Sequence, residues 1–295
     1  MLYRSYQNQK LDQLDAETVA RETAEYGVVV IEGSGASPEE YAEWVKGYGH
    51  HISPGIWCTD DEHSDLFWRV TNKKIDGRNQ GLFGDYELDW HCNLTPIADA
   101  EECIGLYAKT ITYHTETWFC NSLPYWKTLD EETKEYYRKL TVVLDPMRRL
   151  GVIKSAWQPN FRELYDPEVL EGISKNRGTR NYIHDRGFIE KHNFVPNHPL
   201  GVEGFFFTPY EVHAFEIDGE PIDNSEELWE HLWNDWIAND KWTYKHVWKE
   251  GDIVLMDQLT TIHRRPDILK DKPRELLRTA SWYKKEIRKH LEPSL

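Results

Sequence analysis

The sequence predicts a single mixed α+β domain in which strands are flanked by helices. Three observations carry this expectation. At 295 residues the chain is long enough to bury a sizeable core. No linker-like stretch divides it. Segments with strand alternation are interleaved with segments that have helical spacing or helix caps.

Residues 11–26 ("LDQLDAETVARETAEY") have helical spacing and stop at Gly27, and "VVVIEG" follows as a short buried strand. "SPEEYAEWVKGYG" opens with Ser37 as N-cap, Pro38 at the first helical position and Glu40 at the capping-box position, so a second helix is expected. Residues 50–82 read as loop-rich, and residues 85–119 turn to strands. "TLDEETKEYYRKL" is another capped helix. Residues 150–200 are polar and irregular, too long for an ordinary loop, and are expected to form a lid or inserted segment. "GFFFTPYEVHAFEI" resumes strand character. "NSEELWEHLWNDWIAND" is an amphipathic helix with Leu228, Trp229, Leu232, Trp233 and Trp236 at helical spacing. "DIVLMDQ" and "LLRTASWYK" close the domain as two strands separated by a basic loop.

Composition excludes several function classes. With 13 Trp, 16 Tyr and 10 Phe the chain has ample core-forming side chains, so its mean hydropathy of −0.72 does not signal disorder. A formal charge of −16 disfavours nucleic acid and anionic membrane surfaces, both of which require a basic face. No window supplies the ~20 apolar residues of a membrane-spanning helix, and "MLYRSYQNQK" has no apolar signal-peptide segment. Cys58, Cys92, Cys103 and Cys120 lack CxxC spacing and read as buried thiols. The expectation is a soluble cytoplasmic protein with a small-molecule partner and no nucleic-acid or membrane partner; a homo-oligomer is compatible with the sequence.

The segment "DWHCNLT" (89–95) raises the chemical question. Strand parity puts Tyr86, Leu88, Trp90, Cys92 and Leu94 on an apolar face and Asp85, Glu87, Asp89, His91 and Asn93 on a polar one. By itself this pattern fits a half-buried strand with a solvated face, and a lone His91 fits a structural role.

The C-terminal stretch changes that balance. "HVWKEGDIVLMDQLTTIHRRPDILKDKPRELLRTASWYK" resembles the closing part of the iron(II)/2-oxoglutarate dioxygenases of the taurine dioxygenase (TauD/TfdA) family. The shared elements are a Trp, then Gly-Asp, an apolar strand ending in Asp-Gln where Asp-Asn is usual, a histidine, and an arginine pair. Earlier segments follow the family's order: "YGVVVIEG", "DWHCNLT" at the metal strand, "HTETWFCNS" at the strand with a cofactor-contacting threonine, and "NHPLGVEGFFFTPYEVHAFE" before the last helix. The resemblance spans nearly the whole chain and implies a double-stranded β-helix (jelly-roll) core with flanking helices.

It also implies an oxidoreductase using Fe(II), 2-oxoglutarate and O2. His91 and His263 would supply the imidazole ligands of a facial triad, with Asn93 where the family has a carboxylate. Arg274 would hold the distal carboxylate of 2-oxoglutarate, because a guanidinium can meet that oxygen pair bidentately, and Thr117 would add a hydroxyl. Arg278 matches the family's second arginine and would contact the keto-acid end or a substrate anion. Arg264 and Arg265 read as solvated loop residues.

Asn93 leaves three accounts open. Its amide oxygen binds iron; or it turns away and an anion fills the position, as in the related halogenases, which achieve this with Gly or Ala; or the site is an impaired 2-oxoglutarate-binding one, naturally or through amidation of the ligand. Asp89 or Glu87 as substitute ligands would break the strand geometry. If Asp85, Glu87 and Asp89 line the mouth of the site, a cationic amino acid or amine is the complementary substrate, with Arg278 holding its carboxylate. His184 and Asp185, in the expected lid, are further substrate candidates.

Overall fold

Capping side chains decide where the helices begin. The computed structural model describes residues 1–52, 65–82, 84, 87–93, 101–144, 190–209, 212–266 and 269–288. Asp15 accepts the Thr18 N–H, so the first α-helix runs Ala16–Tyr26, and residues before it form a separate turn at Leu11–Gln13. The helical spacing from residue 11 therefore overran by one turn, because Asp15 satisfies an N-terminal donor that would otherwise lack an acceptor. Gly27, at φ 74°, ends that helix in a conformation that favours glycine. The second helix, Pro38–Val45, has both bonds of the Ser37/Glu40 capping box. The helix Glu131–Arg138 starts at Asp130, whose side chain accepts the Thr133 N–H. The Trp-rich helix Ser225–Leu232 runs on as a π-helical turn, Trp233–Ile237, and buries Leu228, Trp229, Leu232 and Trp236.

Three sheets carry most of the remaining described chain. The major sheet has seven strands. Its order is Arg4–Gln7, Val28–Glu32, Ile253–Asp257, Cys103–Ile111, Arg274–Tyr283 and Gly49–His51, with Trp68–Thr71 also pairing to Arg274–Tyr283. The Arg4–Gln7 strand, not expected from the sequence, pairs parallel to Val28–Glu32. The minor sheet is antiparallel, in the order Thr243–Val247, Glu116–Asn121, Thr261–Arg265 and Leu88–His91. The third sheet orders Glu190–Asn193, Leu140–Leu144, Val212–Ile217 and Glu220–Pro221.

Period-two alternation sorts these strands into layers. Val28, Val30, Ile104, Leu106, Val254, Met256 and Leu276 on the inner face of the major sheet pack with Phe119 and Trp248 of the minor-sheet side, so the two sheets meet face to face. On the outer face, Val29, Ile31, Ile253, Leu255 and Leu277 pack beneath Val19, Ala20, Tyr41 and Val45 of the first two helices. The reverse side of the minor sheet sends Trp90, Cys120 and Ile262 into a third cluster with the third sheet and the Trp-rich helix. The same alternation places Thr117 beside Phe119, and Arg274 and Arg278 beside Leu276, on the inner faces.

Several expectations are corrected here. The strand expected to continue through residue 94 ends at His91, and Asn93 lies in a turn. Arg264 and Arg265 are strand residues, and Arg265 is buried. Pairing with the His91 strand draws this segment out of the expected loop. Most of the expected lid, residues 150–189, lies outside the described residues, but Glu190–Asn193 within that span is a strand of the third sheet. Among the described residues no helix is long and apolar enough to cross a membrane.

Candidate active site

His91 and His263 are direct antiparallel partners in the minor sheet. Their ring centroids are 4.2 Å apart and the rings are tilted by 47°. This places two nitrogen donors side by side, although they are 172 positions apart in the chain. His91 Nδ1 lies 2.6 Å from the Asp89 carbonyl oxygen. A carbonyl only accepts, so Nδ1 carries the proton and the lone pair is on Nε2. Both imidazoles are buried. Burial lowers the His91 pKa to about 4. Burial, with His91 and Arg278 adding repulsion, holds His263 well below the usual histidine range. Neutral imidazole is the metal-binding form, so both rings are ready to ligate at neutral pH.

Asn93 follows two residues after His91 and is held through its backbone. Its N–H donates to Gln258 Oε1 at 2.9 Å, and its carbonyl accepts from Gln258 Nε2 at 3.4 Å. The same Gln258 Nε2 reaches the Glu101 carbonyl at 3.2 Å and Glu101 Oε2 at 3.3 Å. Glu101 Oε2 in turn pairs with Arg278 Nη2. The Arg278 guanidinium also lies over the Trp68 ring, 4.7 Å from its centroid.

Thr117 and Arg274 meet across the interior. Arg274 Nη2 lies 3.5 Å from Thr117 Oγ1, which also accepts the Trp248 indole N–H at 2.8 Å. Arg274 is 1% exposed, and its Nε and Nη1 have no hydrogen-bond partner among the described residues. Burial, reinforced by Arg265, pushes its pKa down to about 9. A buried guanidinium with two unfilled donors is a strong attractor for a carboxylate, and burial makes such a pairing firmer than it would be at the surface. These donors, beside the Thr117 hydroxyl, fit a carboxylate, and the paired neutral imidazoles fit a divalent metal.

The acidic face is arranged differently from the expectation. Glu87 pairs with Arg264, and Asp89 lies 3.8 Å from the same guanidinium. Arg264 offsets one of these two carboxylate charges, and one remains. Asp85, His184 and Asp185 lie outside the described residues. Among the described residues, three metal-capable side chains come together elsewhere, at Glu32, His246 and Asp252. That group is closed on itself: His246 Nε2 is 3.2 Å from Asp252, and its Nδ1 is 2.9 Å from the Tyr244 hydroxyl.

The family model for the taurine catabolism dioxygenase TauD, TfdA family matches residues 5–280. The chain belongs to the TauD/TfdA family. It is a 2-oxoglutarate-dependent dioxygenase, an oxidoreductase that uses Fe(II), 2-oxoglutarate and O2. Pentalenolactone F synthase of Streptomyces arenae is 23% identical over 261 residues, covering 86% of this chain and 82% of that protein. Among solved structures, a taurine dioxygenase from Burkholderia xenovorans aligns with a TM-score of 0.63 at 17% identity, over 94% of this chain and 85% of its own. AAD-2 in complex with Mn(II) and N-oxalylglycine aligns with a TM-score of 0.64 at 17% identity, over 96% and 94%. These neighbours share the jelly-roll dioxygenase fold; here the described strands form facing sheets without a closed barrel.

Sequence reasoning missed Glu101, Gln258 as a clamp, and Arg265. In "ADAEEC" Glu101 reads as an ordinary surface acid, and nothing local marks it as buried. Arg265 was signalled: it stands two residues after His263, the spacing of one strand face.

Proposed function

We propose that this enzyme oxidises an unactivated C–H bond of a small molecule, with hydroxylation as the outcome. Thr117 and Arg274 receive the distal carboxylate of 2-oxoglutarate, and His91, His263 and the Asn93 amide oxygen hold the iron. The orphaned Nε and Nη1 of buried Arg274 are the observation that carries this reading. When bound, iron and 2-oxoglutarate supply the oxidant: decarboxylation to succinate and CO2 takes up one oxygen atom of O2 and leaves the other for the substrate.

The chain's own residues bind and orient. Asp89 fixes the His91 tautomer, and Trp248 fixes the Thr117 hydroxyl. Phe119, Leu276, Met256 and Trp248 keep water from the inner faces. Glu87 and Asp89 share the Arg264 guanidinium, and Glu101 pairs with Arg278, so these acids are held by neighbouring cations.

Anaerobic addition of Fe(II) and 2-oxoglutarate tests the assignment. The expected result is a weak visible charge-transfer band, followed on adding O2 by succinate and a product heavier by one oxygen. Absence of the band removes the reading. Asn93→Asp is expected to tighten metal binding with the same product. A chlorinated or brominated product in halide buffer, lost in Asn93→Asp, would instead assign the third position to an anion.

A further inference from the structure

Replacing a ligand carboxylate by Asn93 leaves the metal position one negative charge short. The described surroundings make that deficit larger. Arg274, Arg265 and Arg278 are all buried on this side of the molecule, and Arg278 acts electrostatically on both His91 and His263. A divalent cation brought to two neutral imidazoles in such a field meets repulsion.

One buried carboxylate answers it. Glu101 is 1% exposed, and a carboxylate at that depth needs both a countercharge and hydrogen bonds. It has the Arg278 guanidinium and the Gln258 amide as partners. Gln258 grips the Asn93 peptide on both sides, through its N–H and its carbonyl. The chain Arg278–Glu101–Gln258–Asn93 therefore starts on the major sheet and ends at the turn leaving the His91 strand. Gln258 stands where the family usually has Asn, and its extra methylene lengthens the reach of that amide.

We infer that Glu101 is a positioning residue for the metal centre: its carboxylate balances Arg278 beside the imidazoles and, through Gln258, holds the turn that carries Asn93. The negative charge that Asn93 lacks is thus restored from the neighbouring layer, not from the coordination sphere. This rests on the Fe(II)/2-oxoglutarate reading above.

The test compares wild type, Glu101→Gln, Asn93→Asp and the Asn93→Asp/Glu101→Gln double variant in the full chain. Mn(II) affinity is measured by the EPR signal of free Mn(II), the Fe(II)–2-oxoglutarate absorption maximum is recorded anaerobically, and thermal melting monitors folding. Glu101→Gln keeps the shape and removes one charge, so Mn(II) binding is expected to weaken on the order of tenfold and the band to move. Restoring a carboxylate in the double variant is expected to recover most of that loss. A structural counterion alone would lower the melting temperature without rescue by Asn93→Asp, and that result overturns the inference. Should Glu101→Gln fail to fold, Gln258→Ala leaves the Glu101–Arg278 pair intact and severs only the link; wild-type Mn(II) affinity in that variant likewise overturns the positioning role. Failure of wild type itself to bind Mn(II) with 2-oxoglutarate would sink the functional reading first, so the two failures are distinguishable.

Discussion

Replacing Arg274 with methionine separates its cost to the fold from its value to the cosubstrate. The guanidinium is 1% exposed, and among the described residues Nε and Nη1 have no partner while Nη2 lies 3.5 Å from the Thr117 hydroxyl. Its pKa falls to about 9, chiefly through burial. At ~1.4 kcal/mol per pH unit, that fall corresponds to a penalty on the charged form of roughly 5 kcal/mol. The folded chain holds this proton less tightly than the unfolded chain, so the penalty is fully present at pH 7 and is relieved only as pH climbs through about 9. Methionine keeps much of the length and removes the charge. Arg274→Met is therefore expected to stabilise the ligand-free protein by about 1–4 kcal/mol, as when buried ions give way to apolar side chains. Binding should move in the opposite sense. Losing the guanidinium leaves the distal carboxylate of 2-oxoglutarate unpaired, a loss of about 2–5 kcal/mol, or roughly thirtyfold to several thousandfold in Kd. Thermal melting with Mn(II), with and without the inert analogue N-oxalylglycine, reads both effects: a higher baseline Tm and no ligand-induced shift. A variant that melts several degrees lower and still binds the analogue with wild-type affinity would refute the assignment of Arg274.

Acid should weaken the metal-free fold through its imidazoles. His91 is held neutral with its pKa near 4, against 6.5 when exposed, so the unfolded chain binds the extra proton first and stability falls by about 3 kcal/mol as pH drops from 6.5 toward 4. Urea titrations of wild type and His91→Gln across that range check it; equal slopes would remove His91 as the cause. Thr117→Val deprives the buried Trp248 indole N–H of its acceptor and should cost about 1–3 kcal/mol in stability, together with weaker 2-oxoglutarate binding, read by melting and by titration of the charge-transfer band. Gly105→Ala should cost about 1–3 kcal/mol or more without touching the site directly, because the added Cβ would lie 2.5 Å from Thr279 Oγ1 and closer still to the Tyr41 hydroxyl; an unchanged urea midpoint would contradict this.

What the sequence determined by itself is local or periodic. Ser37 and Glu40 announced a capping box, and the apolar run in "DIVLMDQ" announced a strand. Order along the chain, through the family resemblance, proposed His91, Thr117, His263, Arg274 and Arg278 as one site; the structure pairs His91 with His263 and brings Arg274 to Thr117. Partnership was decided only by the tertiary structure. Glu87 and Asp89 looked like a free acidic lining until strand pairing brought Arg264 beside them. Arg278 read as a contact for an anion, and only the fold showed Glu101, 177 positions away, pairing with its Nη2. The physical reason is that a side chain's charge is a property of its neighbours and its depth. Sequence spacing specifies which face a residue occupies, whereas the crossing of distant strands specifies what stands opposite it and how much water remains between them.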